Sequence, residues 1–260
     1  MEMNYFVCAL TSMFTSIVGS ICGIGGGILL KPVLDATRIF GVSEASYLSS
    51  CTVLAMACAS VANGLKSKNI KLDGACSIPI TLGSVLGGFT GRYFFDFLCA
   101  NISEDIVGDT QAALLLLVTF ITFIYTLNEK RVRKFHVNNK SFCLAIGLCL
   151  GVVASFLGIG GGPINLMVLS LLFGMDTKTA ALNSLCIISF SLAVSVSSWI
   201  YIGNITNRNS SLLVLMAVCG IFGGLLGRRI NDIISEHAVR NLFLSVMVSI
   251  MLICSYNLIK

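Results

Sequence analysis

Polar positions along the chain fall in short clusters between apolar stretches of bilayer length. Runs of about 20 apolar residues, enough to cross a hydrocarbon core of about 30 Å, lie at roughly 45–66, 73–97, 109–127, 177–203, 210–231 and 238–258. These six predict ordinary spanning helices. Two further apolar regions, about 5–36 and 141–173, are longer than one crossing requires. Each is interrupted by the same five residues, Gly23-Ile24-Gly25-Gly26-Gly27 and Gly158-Ile159-Gly160-Gly161-Gly162. Glycine costs about 1 kcal/mol relative to alanine inside a helix, so four glycines in five positions unwind the backbone. Amide groups freed inside lipid must be received by protein or by a water-filled cavity. The pattern therefore predicts an all-α polytopic membrane protein of about eight transmembrane segments, with a glycine-broken first segment in each of two homologous four-segment halves.

The halves are an internal repeat. The glycine cluster recurs at an offset of 135 residues, Asn69-Ile70 recurs as Asn204-Ile205 at the same offset, and GGFTGR at 87–92 recurs as GGLLGR at 223–228. The first repeat covers 1–127 and the second 141–260, divided by the basic segment 128–140, which reads as a cytoplasmic linker. Loop charges say how the repeats relate. The connection after 45–66 holds Lys66, Lys68 and Lys71, whereas 92–109 sets Arg92 against Asp96, Glu104, Asp105 and Asp109. In the second half 203–210 has only Arg208, while 228–240 has Arg228, Arg229 and Arg240. Equivalent loops prefer opposite sides, which predicts inverted repeats if each broken region enters the membrane and returns to its own side. Eight plain crossings with parallel repeats would divide the 17 lysines and arginines ten to seven, a weak bias.

Composition fixes the environment. Of 260 residues, 56% are hydrophobic and 11% charged, against about 25% charged in soluble domains, and the mean hydropathy is +0.92. The lipid bilayer is thus a partner, and the chain is expected in the cell membrane. Met1-Glu2-Met3-Asn4 lacks a basic n-region, so the first apolar run is expected to be retained. The net charge of +5 reads as orientation in the bilayer and not as nucleic-acid binding. Eleven cysteines are dispersed singly, with no Cys-x-x-Cys pair, which fits packing better than zinc or dithiol chemistry. With no Walker sequence, metal cluster or Ser-His-Asp set, neither an enzyme nor a cofactor is expected.

The breaks carry the candidate chemistry. A short helix starting after each cluster, at Ile28 or Pro163, would offer free N–H groups and the positive end of its dipole, which suits an anion. The backbone at Gly23, Gly25, Gly26 and Gly27 and at Gly158, Gly160, Gly161 and Gly162 is the candidate binding site. Asn165 and, from the next helix of each half, Ser49, Ser50, Asn183 and Ser184 could donate hydrogen bonds while staying neutral. Lys31, one turn past Gly27, either approaches the anion or runs to the interface with Asp35 and Arg38. Gly83, Gly87 and Gly91, with their counterparts at 220–227, read as close-packing faces. Arg92, Arg228 and Arg229 read as helix-end residues near the interface that fix topology. A homodimer is left open, because such glycine faces serve equally within one chain.

With these motifs in hand, the chain resembles the sulfite exporter TauE/SafE family of membrane transporters. The likeness rests on the first GIGGG followed by ILLKPVL, the second followed by PINLMVL, the Ser/Asn stretch after each, the basic central segment and the paired GGxxGR. It implies a permease that moves a small anion, often a sulfur oxyanion such as sulfite or an organosulfonate, without ATP. Lys31 stands where the family would place an apolar residue. The functions expected are a secondary anion transporter with alternating access around the two breaks or, as alternatives, a membrane-embedded thiol-redox or partner-binding protein and a passive anion channel.

Overall fold

The computed structural model describes residues 2–37, 39–65, 74–137, 139–202 and 210–259. Among these, the chain is helical and has no strand: α1 (Glu2–Cys22), α2 (Gly27–Thr37), α3 (Val42–Gly64), α4 (Gly74–Asn101), α5 (Glu104–Asn128), α6 (Lys140–Leu157), α7 (Gly162–Phe173), α8 (Thr177–Ile202), α9 (Ser210–Ile233) and α10 (Glu236–Ile259). Seven of them, all but α2, α4 and α7, are long and apolar enough to cross a membrane. Large apolar side chains such as Phe14, Phe89, Phe120 and Leu252 are more than half exposed, an outer surface suited to lipid. This is a multi-pass membrane protein. Helices α2 and α7, of 11 and 12 residues, reach only about 17 Å at 1.5 Å per residue, half of a bilayer.

The two halves interleave. Helix α1 lies along α9, and α6 lies along α4, in the two most extensive helix pairs. Small residues permit this. A Cβ at Gly83, Gly87 or Gly91 of α4 would come within 2.1, 2.1 and 2.5 Å of the carbonyl oxygens of Leu144, Leu148 and Val152 on α6. On α9, Gly223 and Gly227 meet α1 while Gly220 and Gly224 meet α3. The glycine-spaced faces are thus occupied by helices of the same chain. Helices α3 and α8 cross at the centre through Val53, Met56, Leu185, Ile188 and Leu192, and α5 packs on α10 at the periphery.

The ends of the two short helices meet different neighbours. Asn257, near the end of α10, donates to the Pro32 carbonyl at 3.1 Å, and the end of α2 shares a cavity with Asp105 and Asp109 at the start of α5. The end of α7 lies instead at the other end of α5, where the Tyr125 hydroxyl donates to Ser170 Oγ at 3.3 Å and Ser170 Oγ donates to Glu129 at 2.9 Å. The turn after α7 shares a cavity with Glu236 and His237 at the start of α10.

Several charge readings change with the fold. Helix α4 continues to Asn101 and α9 to Ile233, so Arg92, Asp96, Arg228 and Arg229 lie inside helices and not in connections. Lys66, Lys68, Lys71, Arg208 and the repeated Asn-Ile pairs lie outside the described residues, as does Arg38. The central basic segment is docked along the end of α7. The N–H groups of Phe135 and Val137 donate to the carbonyls of Leu171 and Leu172 at 2.8 and 3.0 Å, and Asn139 caps α6 by accepting from Ser141 and Phe142.

Candidate functional site

Both broken segments stop their first helix in the same way. After α1, Gly23 has φ +75°, its N–H donates to the Gly19 carbonyl at 2.9 Å, and the Ile24 N–H donates to the same carbonyl at 3.1 Å. After α6, Gly158 has φ +65°, with its N–H on Ser155 and the Ile159 N–H on Ala154. This left-handed glycine ending satisfies the last carbonyls of a helix. The carbonyl two residues before each glycine is taken by a side-chain amide from elsewhere: Asn231 donates to Ile21 at 2.6 Å and Gln111 to Phe156 at 2.5 Å. The chain then folds back, and a Cβ at Gly26 would lie 2.9 Å from the Thr15 carbonyl of α1.

The two glycine loops meet at the centre of the molecule, and every residue of both is buried. A Cβ at Gly27 would be 2.9 Å from the Ile159 carbonyl oxygen, and one at Gly162 would be 2.7 Å from Ile28 Cδ1. Helices α2 and α7 therefore begin next to one another. Gly25 and Gly160, equivalent in the repeat, have φ +75° and +82° and both face Val53 of α3 and Ile188 of α8. One helical turn before these two residues stand Ser49 and Ser184, fully buried, with hydroxyls that have no hydrogen-bond partner among the described residues. Ser50 is buried beside Ser49. Hydroxyl pairs repeat as well, Ser20 with Ser60 and Ser155 with Ser195, each at 2.8 Å.

The remaining candidates divide by what already holds them. The Asn165 side chain folds over Gly161, its Nδ2 lying 2.5 Å from where a Cβ would stand, and its Oδ1 is buried without a partner among the described residues. Asn183 is occupied: its amide donates to the Thr179 carbonyl and its oxygen accepts from Ser77 of α4. Lys31 is 3% exposed and pairs with Asp35 at 2.8 Å. Its stem runs beside the second loop, with Cε 3.5 Å from the Cβ position of Gly158. Sequence reading missed Ser46, whose buried Oγ, without a hydrogen-bond partner among the described residues, lies 3.1 Å from that same position. Its counterpart in the repeat is Ala181, packed on Gly23, so the repeat gave no polar signal there.

The arginines of the GGxxGR motifs differ from their expected interfacial placement. Arg92 is 5% exposed and Arg228 is fully buried, because α4 and α9 extend past them and neighbouring helices cover them. Arg229, by contrast, is exposed. Arg92 pairs with Asp96 and lies over the Phe95 ring, 4.8 Å from its centroid. Arg228 pairs with Asp232 at 2.7 Å.

The sequence profile of the sulfite exporter TauE/SafE family matches residues 8–253. A probable membrane transporter protein of Methanocaldococcus jannaschii is 26% identical over 251 residues, covering 92% of this chain and 90% of that protein. One of Bacillus subtilis is 23% identical over 252 residues, covering 88% and 89%, and one of Haemophilus influenzae is 27% identical over 185 residues, covering 68% and 65%. No solved structure matches. With the match running from the first turns of α1 into the last turns of α10, the chain belongs to the sulfite exporter TauE/SafE family of membrane proteins.

Proposed function

We propose that this TauE/SafE-type membrane transporter is a secondary permease for a small oxyanion, with sulfite and organosulfonates as the favoured class. The observation that carries the reading is the convergence of two helix starts at one buried point, where Gly27 meets Ile159 and Gly162 meets Ile28. The first N–H groups of a helix have no acceptor within it, and two positive dipole ends side by side favour an anion without a cation in the membrane. The backbone of both glycine loops, the hydroxyls of Ser49, Ser50 and Ser184, and Asn165 are the groups we assign to it. Asn183 supports that wall through its bonds to Thr179 and Ser77.

Alternating access follows if the halves are inverted. That arrangement is supported by the ends of α2 and α7, which meet opposite ends of α5, and by the return of the chain along α1 after the first break. Each half then contributes a hairpin from its own side, the architecture in which one repeat rocks against the other. Reporters inserted at 67–72 and 203–210 are expected on opposite membrane faces; finding both on one face would remove the inverted arrangement.

Purified protein in proteoliposomes, tested with labelled sulfite, thiosulfate, a sulfonate and a carboxylate, is expected to give saturable flux of at least one sulfur anion. It should retain that flux when Cys22, Cys51 and Cys186 are replaced by serine. Absence of saturable flux for every anion sinks the reading, and flux that rises linearly without saturation assigns a channel instead.

A further inference from the structure

We propose that Arg228 is an oxyanion-binding residue on the flank of the first glycine break, an assignment that rests on the anion-transport reading above. Its guanidinium is fully buried, yet among the described residues only Nη2 is engaged, by Asp232, which is itself 34% exposed. Nε and Nη1 are buried with no hydrogen-bond partner among the described residues. Three N–H bonds of a charged group are thus held out of water without acceptors, a costly state that a ligand rich in acceptor oxygens relieves. Arginine is suited to such ligands, since its charge is permanent and its donors are fixed in a plane.

The surroundings place this group at the break. Nε lies 3.3 Å from the Cβ position of Gly64 on α3, a spot that also meets Leu182 of α8. Leu182 follows Ala181, which packs directly on Gly23, and three residues along α9 from Arg228, Asn231 donates to the carbonyl of Ile21. Asn231 also keeps a buried Oδ1 without a partner among the described residues, a second unmet polar atom at this end of α1. The other half is chemically unequal. The residue equivalent to Asn231 is Phe95, and its ring covers Arg92. The free guanidinium donors therefore mark the first break as the side on which a sulfite, thiosulfate or sulfonate group is held.

The test compares wild type, Arg228→Gln, Arg228→Lys and, as a control at an exposed neighbour, Arg229→Gln. Each is measured for sulfite flux in proteoliposomes and for thermal stabilisation by sulfite in detergent. Loss of one charge-assisted contact is expected to raise the apparent KM of Arg228→Gln by about 10- to 100-fold, with its stabilisation by sulfite abolished. Arg228→Lys should show a smaller rise, and Arg229→Gln the wild-type values. A structural role alone would lower the maximal rate with the amount of folded protein and leave KM unchanged; that outcome overturns the proposal. If Arg228→Gln does not accumulate, Arg228→Lys decides, and wild-type KM with wild-type stabilisation overturns it. Wild-type protein with no flux, but with sulfite stabilisation that Arg228→Gln loses, overturns the transport reading and leaves the arginine site standing.

Discussion

Alanine at Gly23 is expected to eliminate folded protein, whereas alanine at Gly25 is expected to leave it folded and measurably weaker. Both residues have φ +75°, so both substitutions carry the left-handed penalty of about 1–2 kcal/mol for a residue with a Cβ. Space separates them. At Gly25 the new methyl would stand 3.3 Å from a Val53 methyl, a side-chain atom that can yield, but at Gly23 it would stand 2.3 Å from both Cα and Cβ of Ala181. Backbone cannot yield without moving α8, and overlap of that kind belongs with the rare substitutions that cost more than about 4 kcal/mol, close to the whole stability of a marginal domain. Fluorescence-detected size exclusion of detergent extracts, followed by thermal unfolding of whatever survives, measures both. Equal yields and equal midpoints for the two variants would contradict the contact between Gly23 and α8.

The Lys31–Asp35 pair supports the second large effect, and its size depends on which partner is removed. Lys31 is 3% exposed and Asp35 24%. Asp35→Asn would strand a buried ammonium, a loss of about 3–5 kcal/mol when one member of a buried pair is removed. Lys31→Met would instead leave a carboxylate that lines an open cavity and can be hydrated there, so the cost is smaller. The double variant Lys31→Met/Asp35→Asn should regain most of the stability lost by Asp35→Asn, because replacing both charges by groups of similar size is often neutral. Thermal unfolding of the four proteins tests this. The double variant also separates Lys31's two expected roles: full anion flux assigns the lysine to structure, and lost flux at preserved stability assigns it to the anion.

The all-helical character and the helix ends at the two glycine clusters were legible because each rests on backbone chemistry written locally. The expected eight segments became ten helices, seven of them of spanning length among the described residues, and the pairing of the halves was not written locally at all. An apolar run of bilayer length needs no distant information to be a helix, and a glycine with a left-handed φ ends one wherever it occurs. The arginines were not legible for the opposite reason. GGFTGR and GGLLGR read as helix ends, since a charge after an apolar run normally marks the interface. Burial of Arg92 and Arg228 depends on α4 running nine residues further and α9 five, and on which other helices cover them. Asn183 was legible as a polar residue of the helix after the second break, but its engagement by Ser77 joins residues 106 apart in the chain. Ser46 was hidden by the repeat itself, which places an alanine opposite it. The central segment read as a linker from its charge, while its bonds to Leu171 and Leu172 depend on where α7 ends.

The interleaving of the halves bears on how the protein is made. As α1 leaves the ribosome, the partner for its face of Ser16, Ile17 and Ser20 is α9, which is synthesised about 200 residues later, some 10–40 s at the usual elongation rate. Helix α4 likewise waits for α6. The first half therefore has no complete resting place of its own, and its small-residue grooves stay open to lipid or insertion factors until the second half arrives. Assembly of this fold is a late event that closes both halves together, and a premature stop anywhere before α9 leaves a chain with its first helix unmatched.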